Sequence, residues 1–464
     1  MEKIIEHINS NIDGYVEELK EFLRIPSIST NPENRDDVRN CAEYVGKRLN
    51  EIGLENVKIY ETELHPIVYG DWLKAGEDKP TILIYGHYDV QPVDPVELWT
   101  APPFEPVIRG GNIFARGATD DKGQVFIHMK SIEAHMKNNS SLPVNVKFLI
   151  EGEEEIGSVN LDKFIESNKD LLKCDYVVVS DTSMFGEEIP SICYGLRGLA
   201  YMQVEVTGPN RDLHSGSFGG GVDNPINALA HIITKLKDDK GKILIDGFYD
   251  DVIDLSEKER EEYSKLPFNE AQYKEGLEID EVFGEEGYST LERVSARPTL
   301  DCNGIWGGFQ GEGAKTVLPS KAAAKISMRL VPNQHPKKIE KLFTDYVNKI
   351  APKTVKVKVK DLHGGMGALT PLDSPAMGAA VIAIKKAFGK DPLFTREGGS
   401  IPVVNVFQTI LGAPTILLGF GLPDENAHSP DEHFNLKNFH RGILTAAYYL
   451  DELSKLKANN NGKS

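Results

Sequence analysis

Residues 81–90 read TILIYGHYDV. Thr81–Tyr85 is an unbroken apolar run rich in β-branched residues, which predicts a strand buried on both faces, as in a parallel sheet. The run ends in Gly86-His87-Tyr88-Asp89, so an imidazole and a carboxylate follow a buried strand directly. The same arrangement recurs twice. Val144–Ile150 (VNVKFLI) runs into Glu151-Gly152-Glu153-Glu154-Glu155, and Tyr176–Ser180 (YVVVS) runs into Asp181. Helical segments, Lys122–Lys137 and Asn160–Leu172, lie between them. Strands alternating with helices predict an α/β domain built on a doubly wound sheet. Ligands of such sheets bind beyond the carboxyl ends of the strands, where these acids and histidines fall.

Outward from this core the pattern changes near Gly198. A strand (Tyr201–Thr207), a helix (Pro225–Leu236), two strands (Leu300–Trp306 and Lys321–Val331), a helix from Pro336 to Ile350 and a strand (Thr354–Lys360) follow in order. That is the order of a small α+β, ferredoxin-like sandwich. Pro336 suits the first helical position because its fixed φ is already helical. An acidic, helical-looking stretch from Asp238 to about Glu292 interrupts this part. After about Gly364 the α/β pattern returns with a helix (Ser374–Phe388), two buried strands within Val403–Leu422 and a last helix (Asn435–Leu456). The expected organisation is one α/β domain formed by 1–197 and 365–464, interrupted by an inserted, smaller α+β domain, 198–364.

The 464 residues suffice for two cores, and 40% apolar with 26% charged residues is the composition of a globular enzyme. A net charge of -18 argues against nucleic acid and against an anionic membrane surface as partners. Cys41, Cys174, Cys193 and Cys302 form no CxxC pair and no disulfide framework, so they are read as reduced thiols of a cytoplasmic protein. The N-terminal segment is an acidic amphipathic helix and has no features of a signal peptide.

The strand-end residues gain two further companions. Gly117-Ala118-Thr119-Asp120-Asp121 places two aspartates just before a helix, and Glu425-Asn426-Ala427-His428 follows the apolar strand Thr415–Leu418. Taken singly, each has an ordinary explanation. Asp120-Asp121 suits a helix N-cap, Glu153–Glu155 a solvated helix start, Asp181 a turn cap and His428 a surface loop. Together they would crowd like charges unless divalent cations neutralise them. Mixed imidazole and carboxylate donors suit zinc, manganese or cobalt; calcium and magnesium favour oxygen alone. Gly311–Thr316 mimics a phosphate loop but has Ala314 where glycine is needed, and a strand follows it where a helix is required.

The motifs GHYDV (86–90), GATDDKG (117–123), EGEEEIGS (151–158), SDT (180–182), LRG (196–198), DLHSG (212–216), GAKTVLP (313–319), MRLVP (328–332), REGGSIP (396–402) and NAHSP (426–430) occur in this order. The chain thereby resembles the co-catalytic dinuclear metallopeptidases of the aminoacylase and glutamate-carboxypeptidase type, and within them the carnosinase-like cytosolic dipeptidases. The resemblance implies two divalent ions per subunit, zinc first, with manganese or cobalt as alternatives. His87, Asp120 and Asp181 would hold one ion, and Asp120, Glu155 and His428 the other, with Asp120 bridging. Asp89 would orient His87, and Glu154 would act as general base. His214 would supply an oxyanion donor from a partner subunit, assisted by Thr316. Arg329 would grip a substrate carboxylate, and Ser400 would line the substrate pocket. The resemblance implies that 1–197 with 365–464 is the catalytic domain and that the inserted domain, 198–364, serves as lid and dimerisation domain of a homodimer that hydrolyses dipeptides or short peptides with a free C-terminal carboxylate. The metal motifs fit equally an N-acyl amino acid deacylase, desuccinylase or carbamoyl amidohydrolase; REGGSIP and GAKTVLP favour the dipeptidase branch.

Overall fold

The buried apolar runs form the middle of a nine-stranded mixed sheet. The computed structural model describes residues 1–399 and 401–458. The strand order is Glu55–Tyr60, Ile67–Trp72, Asn145–Glu151, Thr81–His87, Tyr176–Val179, Thr415–Leu417, Ser191–Leu196 and Ala368–Leu369, with Leu393–Glu397 also pairing with Ser191–Leu196. The four central strands are mutually parallel. Every residue of Asn145–Glu151 and of Tyr176–Val179 is buried, as expected of strands covered on both faces. Helix Lys122–Asn139 packs against helices Glu2–Leu23 and Leu436–Leu453. It is buried nearly all round and contains the buried Lys122 and Lys130. Lys130 pairs with Glu18 and Glu133, each at 2.5 Å, and Lys122 donates to the carbonyl of Ile25 at 2.6 Å. Neither ammonium is therefore left bare in the core.

The chain divides into two compact units. The first comprises Met1–Tyr194, Thr370–Thr395 and the chain from Val403 onward; the second comprises Gly195–Leu369 and Arg396–Pro402. The second unit carries an antiparallel four-stranded sheet in the order Thr299–Gly307, Lys321–Leu330, Gly198–Thr207, Lys356–Gly365. Burial alternates strictly along Gly198–Thr207, which places Ala200, Met202, Val204 and Val206 in a core with helices Pro225–Thr234 and Pro336–Ile350. These elements run β-α-β-β-α-β, the predicted sandwich.

The acidic stretch holds three short helices, Glu257–Lys265, Glu270–Gly276 and Thr290–Ser295. The first and third start with capping boxes, at Ser256 and Ser289. Buried Arg297 anchors the stretch through two bonds to Glu285 and one to Asp254, all 2.8 Å, while its guanidinium lies 4.1 Å from the Tyr288 ring centre. Segment Arg396–Pro402 belongs with this unit for a physical reason. Arg396 pairs with Glu259, and the Arg197 guanidinium donates to the Gly398 carbonyl at 3.2 Å.

One expectation is corrected. The apolar run from Val403 is not two strands. Its first half is helical over Pro402–Val406 and widens to a π turn over Phe407–Leu411, and only Thr415–Leu417 is a strand. Val403, Val404 and Phe407 are buried at helical spacing, while Asn405 and Gln408, which looked like breaks in a strand, share the less buried side. Among the described residues, no helix is long and apolar enough to cross a membrane.

Candidate metal centre

Because the central strands are parallel, their carboxyl ends share one edge of the sheet, and each delivers a polar side chain there. His87 ends one strand, Glu154 and Glu155 follow the next, and Asp181 follows the third. Asp120 lies in the loop before helix Lys122–Asn139, and His428 lies in the loop after Thr415–Leu417. His428, Asn426 and Asp431 all take positive φ, so this loop holds three non-glycine residues in the left-handed region.

Two ligand groups result. In the first, His87 Nε2 lies 3.1 Å from Asp120 Oδ1 and 3.9 Å from Asp181 Oδ2. In the second, His428 Nε2 lies 2.8 Å from Asp120 Oδ2 and 3.4 Å from Glu155 Oε2. Within each group one ligand atom per residue falls within 4.8 Å of the others. Asp120 belongs to both groups and turns a different oxygen to each.

Asp89 is fully buried behind this site. Its two carboxylate oxygens accept the backbone N–H groups of Glu154 at 3.2 Å and Glu155 at 3.1 Å. Its backbone carbonyl lies 3.1 Å from His87 Nδ1 and its carboxylate 3.4 Å. The Nδ1 proton is therefore committed to Asp89, which leaves Nε2 as the lone-pair face of the ring. That Nε2 is buried without a hydrogen-bond partner. An orphaned lone pair aimed at carboxylates fits a cation between them.

The electrostatics agree. Burial, reinforced by Asp120, pushes the Glu155 carboxyl up to about 8. Burial and Asp120 likewise raise Asp181 well above the usual carboxylate range. Burial also raises Glu154, with Asp120 and Asp89 adding to it against the pull of His87. The bond to Asp120 lifts the His428 imidazole to about 9. Burial works against a charged His87, but its contacts with Asp120 and Asp89 prevail and raise it. Protons thus collect where positive charge is needed, and divalent cations supply the same neutralisation through proper ligands.

His214, Thr316 and Arg329 fall in the second unit. His214 ends a two-residue strand paired with Val317–Leu318 and is exposed. Its Nδ1 accepts the Gly216 N–H at 3.0 Å, so the neutral ring carries its proton on Nε2 as an outward donor. Thr316 is adjacent, its carbonyl accepting the Ser215 N–H at 3.1 Å. Arg329 is half-buried on strand Lys321–Leu330. Arg197 is close enough that Arg329, after burial, helps lower its guanidinium to about 10. Ser400 lies outside the described residues.

The sequence analysis gave three neighbours no role at the site. Gln91 donates to Glu155 Oε2 at 2.6 Å. Asp121 accepts the His87 N–H at 3.2 Å. Glu432 accepts bonds from the Asp120 loop. Gln91 and Glu432 stand only a few positions from His87 and His428 in the chain, and that proximity was the available signal.

One carboxylate shared by two histidine-and-acid groups, with Glu154 close enough to feel the charge of His87, Asp120 and His428, is the arrangement of a hydrolase built for two divalent ions. Residues 83–452 match peptidase family M20/M25/M40, and the chain belongs to that family. It is 36% identical to the Cys-Gly metallodipeptidase dug1 of Schizosaccharomyces pombe, over 98% of this chain and 99% of that protein. It is 32% identical to the Beta-Ala-His dipeptidase of Homo sapiens, over 97% and 92%. The solved M20 family metallo-carboxypeptidase Sso-CP2 from Sulfolobus solfataricus superposes with a TM-score of 0.85 at 34% identity, covering 95% of this chain and 99% of that one. The protein is accordingly a metallopeptidase, a hydrolase of peptide bonds.

Proposed function

We propose that this protein cleaves dipeptides or short peptides bearing a free C-terminal carboxylate, and that His87, Asp120, Asp181, Glu155 and His428 hold two divalent ions for that purpose. The observation that carries the reading is Asp120, whose two oxygens face two separate ligand groups. Ions bound there supply a Lewis acid for the scissile carbonyl and lower the pKa of water. Glu154 takes the proton of the attacking water and returns it to the leaving amine; its raised affinity for protons suits both transfers. Asp89 keeps His87 and the Glu154–Glu155 backbone in place. The mixed donor set favours zinc, with manganese or cobalt as alternatives.

Arg329 binds the substrate carboxylate, a role supported by the neighbouring Arg197, since two guanidiniums draw an anion more strongly than one. Thr316 and Ser400 complete substrate contacts, and His214 donates its Nε2–H to the developing oxyanion from a partner subunit. A homodimer through the inserted domain is supported by the edge strand Thr299–Gly307, which exposes Ile305 and Trp306. The absence of disulfides at Cys41, Cys174, Cys193 and Cys302 supports a cytoplasmic setting.

The test is reconstitution with zinc, manganese and cobalt separately, followed by a panel that includes Cys-Gly, β-Ala-His and N-acyl amino acids. Dipeptide turnover is expected, with Glu154→Gln losing roughly 10²- to 10⁴-fold in kcat while keeping both ions. Activity confined to N-acyl amino acids overturns the substrate class, and full activity in Glu154→Gln overturns the general base.

A further inference from the structure

The loop carrying His428 is bracketed by two buried glutamates. Glu425 is 1% exposed and Glu432 is 0% exposed. Both reach across to segment 116–120, some 300 residues earlier in the chain, which carries Asp120. Glu432 Oε1 accepts the N–H groups of Thr119 at 3.0 Å and Asp120 at 3.2 Å. Its Oε2 accepts the Gly117 N–H at 2.9 Å and the Arg116 guanidinium at 2.7 Å. Glu425 Oε2 accepts the Thr119 hydroxyl at 2.6 Å and the Leu422 N–H at 2.9 Å, and its Oε1 accepts the Asn435 N–H at 2.7 Å. Backbone bonds complete the tie, from Ala115 N–H to the Glu432 carbonyl and from His433 N–H to the Glu425 carbonyl, both 3.0 Å.

Most of these bonds fix backbone near Asp120 and on either side of His428, and the Arg116 guanidinium and Thr119 hydroxyl add side-chain ties. The loop between the glutamates has no regular structure, and three of its residues sit at positive φ, so local propensity does not hold it in shape. A buried carboxylate satisfied by three backbone N–H groups and a guanidinium is a rigid fixture, because releasing any donor leaves it unpaired in a dry site.

We propose that Glu425 and Glu432 are positioning residues that lock the Asp120 segment to the His428 loop and so preset the spacing on which metal binding depends. This inference rests on the two-ion reading above. The ligand groups come from stretches far apart in sequence, and without the tie the ion held by Asp120, Glu155 and His428 would have to order both loops as it bound. The tie thus acts on metal affinity before any substrate arrives.

The test measures binding of zinc and cobalt to the full-length apo chain by chelator competition, with the visible spectrum of the cobalt form as a geometric readout. Glu432→Gln places an amide donor against a row of donors. It is expected to weaken metal binding about 10- to 100-fold and to change the cobalt spectrum. Thr119→Val removes only the hydroxyl bonded to Glu425, should leave the fold intact, and is expected to weaken binding roughly 3- to 10-fold. Glu133→Gln, which breaks the buried pair with Lys130 away from the ligand groups, should lower thermal stability without moving either readout. Wild-type affinity and spectrum in Thr119→Val or in folded Glu432→Gln overturn the proposal. So does a loss in Glu133→Gln equal to theirs, since the effect would then be general instability. A wild-type chain that binds fewer than two ions would overturn the underlying two-ion reading instead.

Discussion

Replacing Asp89 by asparagine changes one atom and tests the local logic of the site. The carboxylate is fully buried and divides its oxygens between the N–H groups of Glu154 and Glu155. Asparagine offers one oxygen and one NH2 group. Whichever way the amide turns, an NH2 group meets one of those N–H groups. One backbone donor and one side-chain donor then go unpaired, each at about 1–2 kcal/mol for part-buried groups. The sum, about 2–4 kcal/mol, corresponds to roughly a 30- to 700-fold shift in any equilibrium that needs this geometry. The loop can relax by displacing Glu154 and Glu155, so the penalty is expected to fall on metal affinity and kcat together. His87 keeps the Asp89 carbonyl at 3.1 Å and should hold its ring orientation. Chelator competition and steady-state kinetics on reconstituted Asp89→Asn measure both quantities, and thermal unfolding of the apo form shows how much of the cost is global. A variant that binds metal and turns over dipeptide within threefold of wild type would refute the claim that this carboxylate sets the site.

Two further expectations follow. Burial raises the Glu155 and Glu151 carboxyls to about 8, and the bond to Asp120 raises His428 to about 9, so each binds more protons folded than unfolded. Their stabilisation is complete below their ordinary values and is lost as pH rises through about 8 to 9, so the metal-free protein should lose stability from pH 6.5 to 9. The zinc-loaded protein, in which cations replace the protons on Glu155 and His428 and leave only that on Glu151, should decline less steeply; equal slopes in denaturant titrations of both forms would refute the assignment. Gly152→Ala would place a methyl group 2.4 Å from the hydroxyl of buried Tyr88, which donates to the Pro66 carbonyl at 2.6 Å. Overpacking of about 1–3 kcal/mol should follow, and an unchanged urea midpoint would exclude it.

The elements were legible where one period dominated. Thr81–Tyr85 and Tyr176–Ser180 read as buried strands because unbroken β-branched runs have few other uses. Helix Pro336–Ile350 was visible from its proline start. The stretch from Val403 misled because an apolar run with two polar interruptions fits a strand as well as a helix, and only burial on one side decides between them. Segment Arg396–Pro402 joined the second unit through the Arg396–Glu259 pair, a contact between distant positions that no local pattern encodes.

Sequence alone determined the chemistry available here: acids and histidines placed after parallel strands, in an order that marks a metallopeptidase. That information is local, carried by periodicity and by residue type at strand ends. Tertiary structure alone decided that Asp120 turns one oxygen to His87 and the other to His428, and that Asp89, Glu425 and Glu432 clamp the loops which make this so. Those are hydrogen bonds between residues up to some 300 positions apart, and their existence depends on how the sheet and its helices pack.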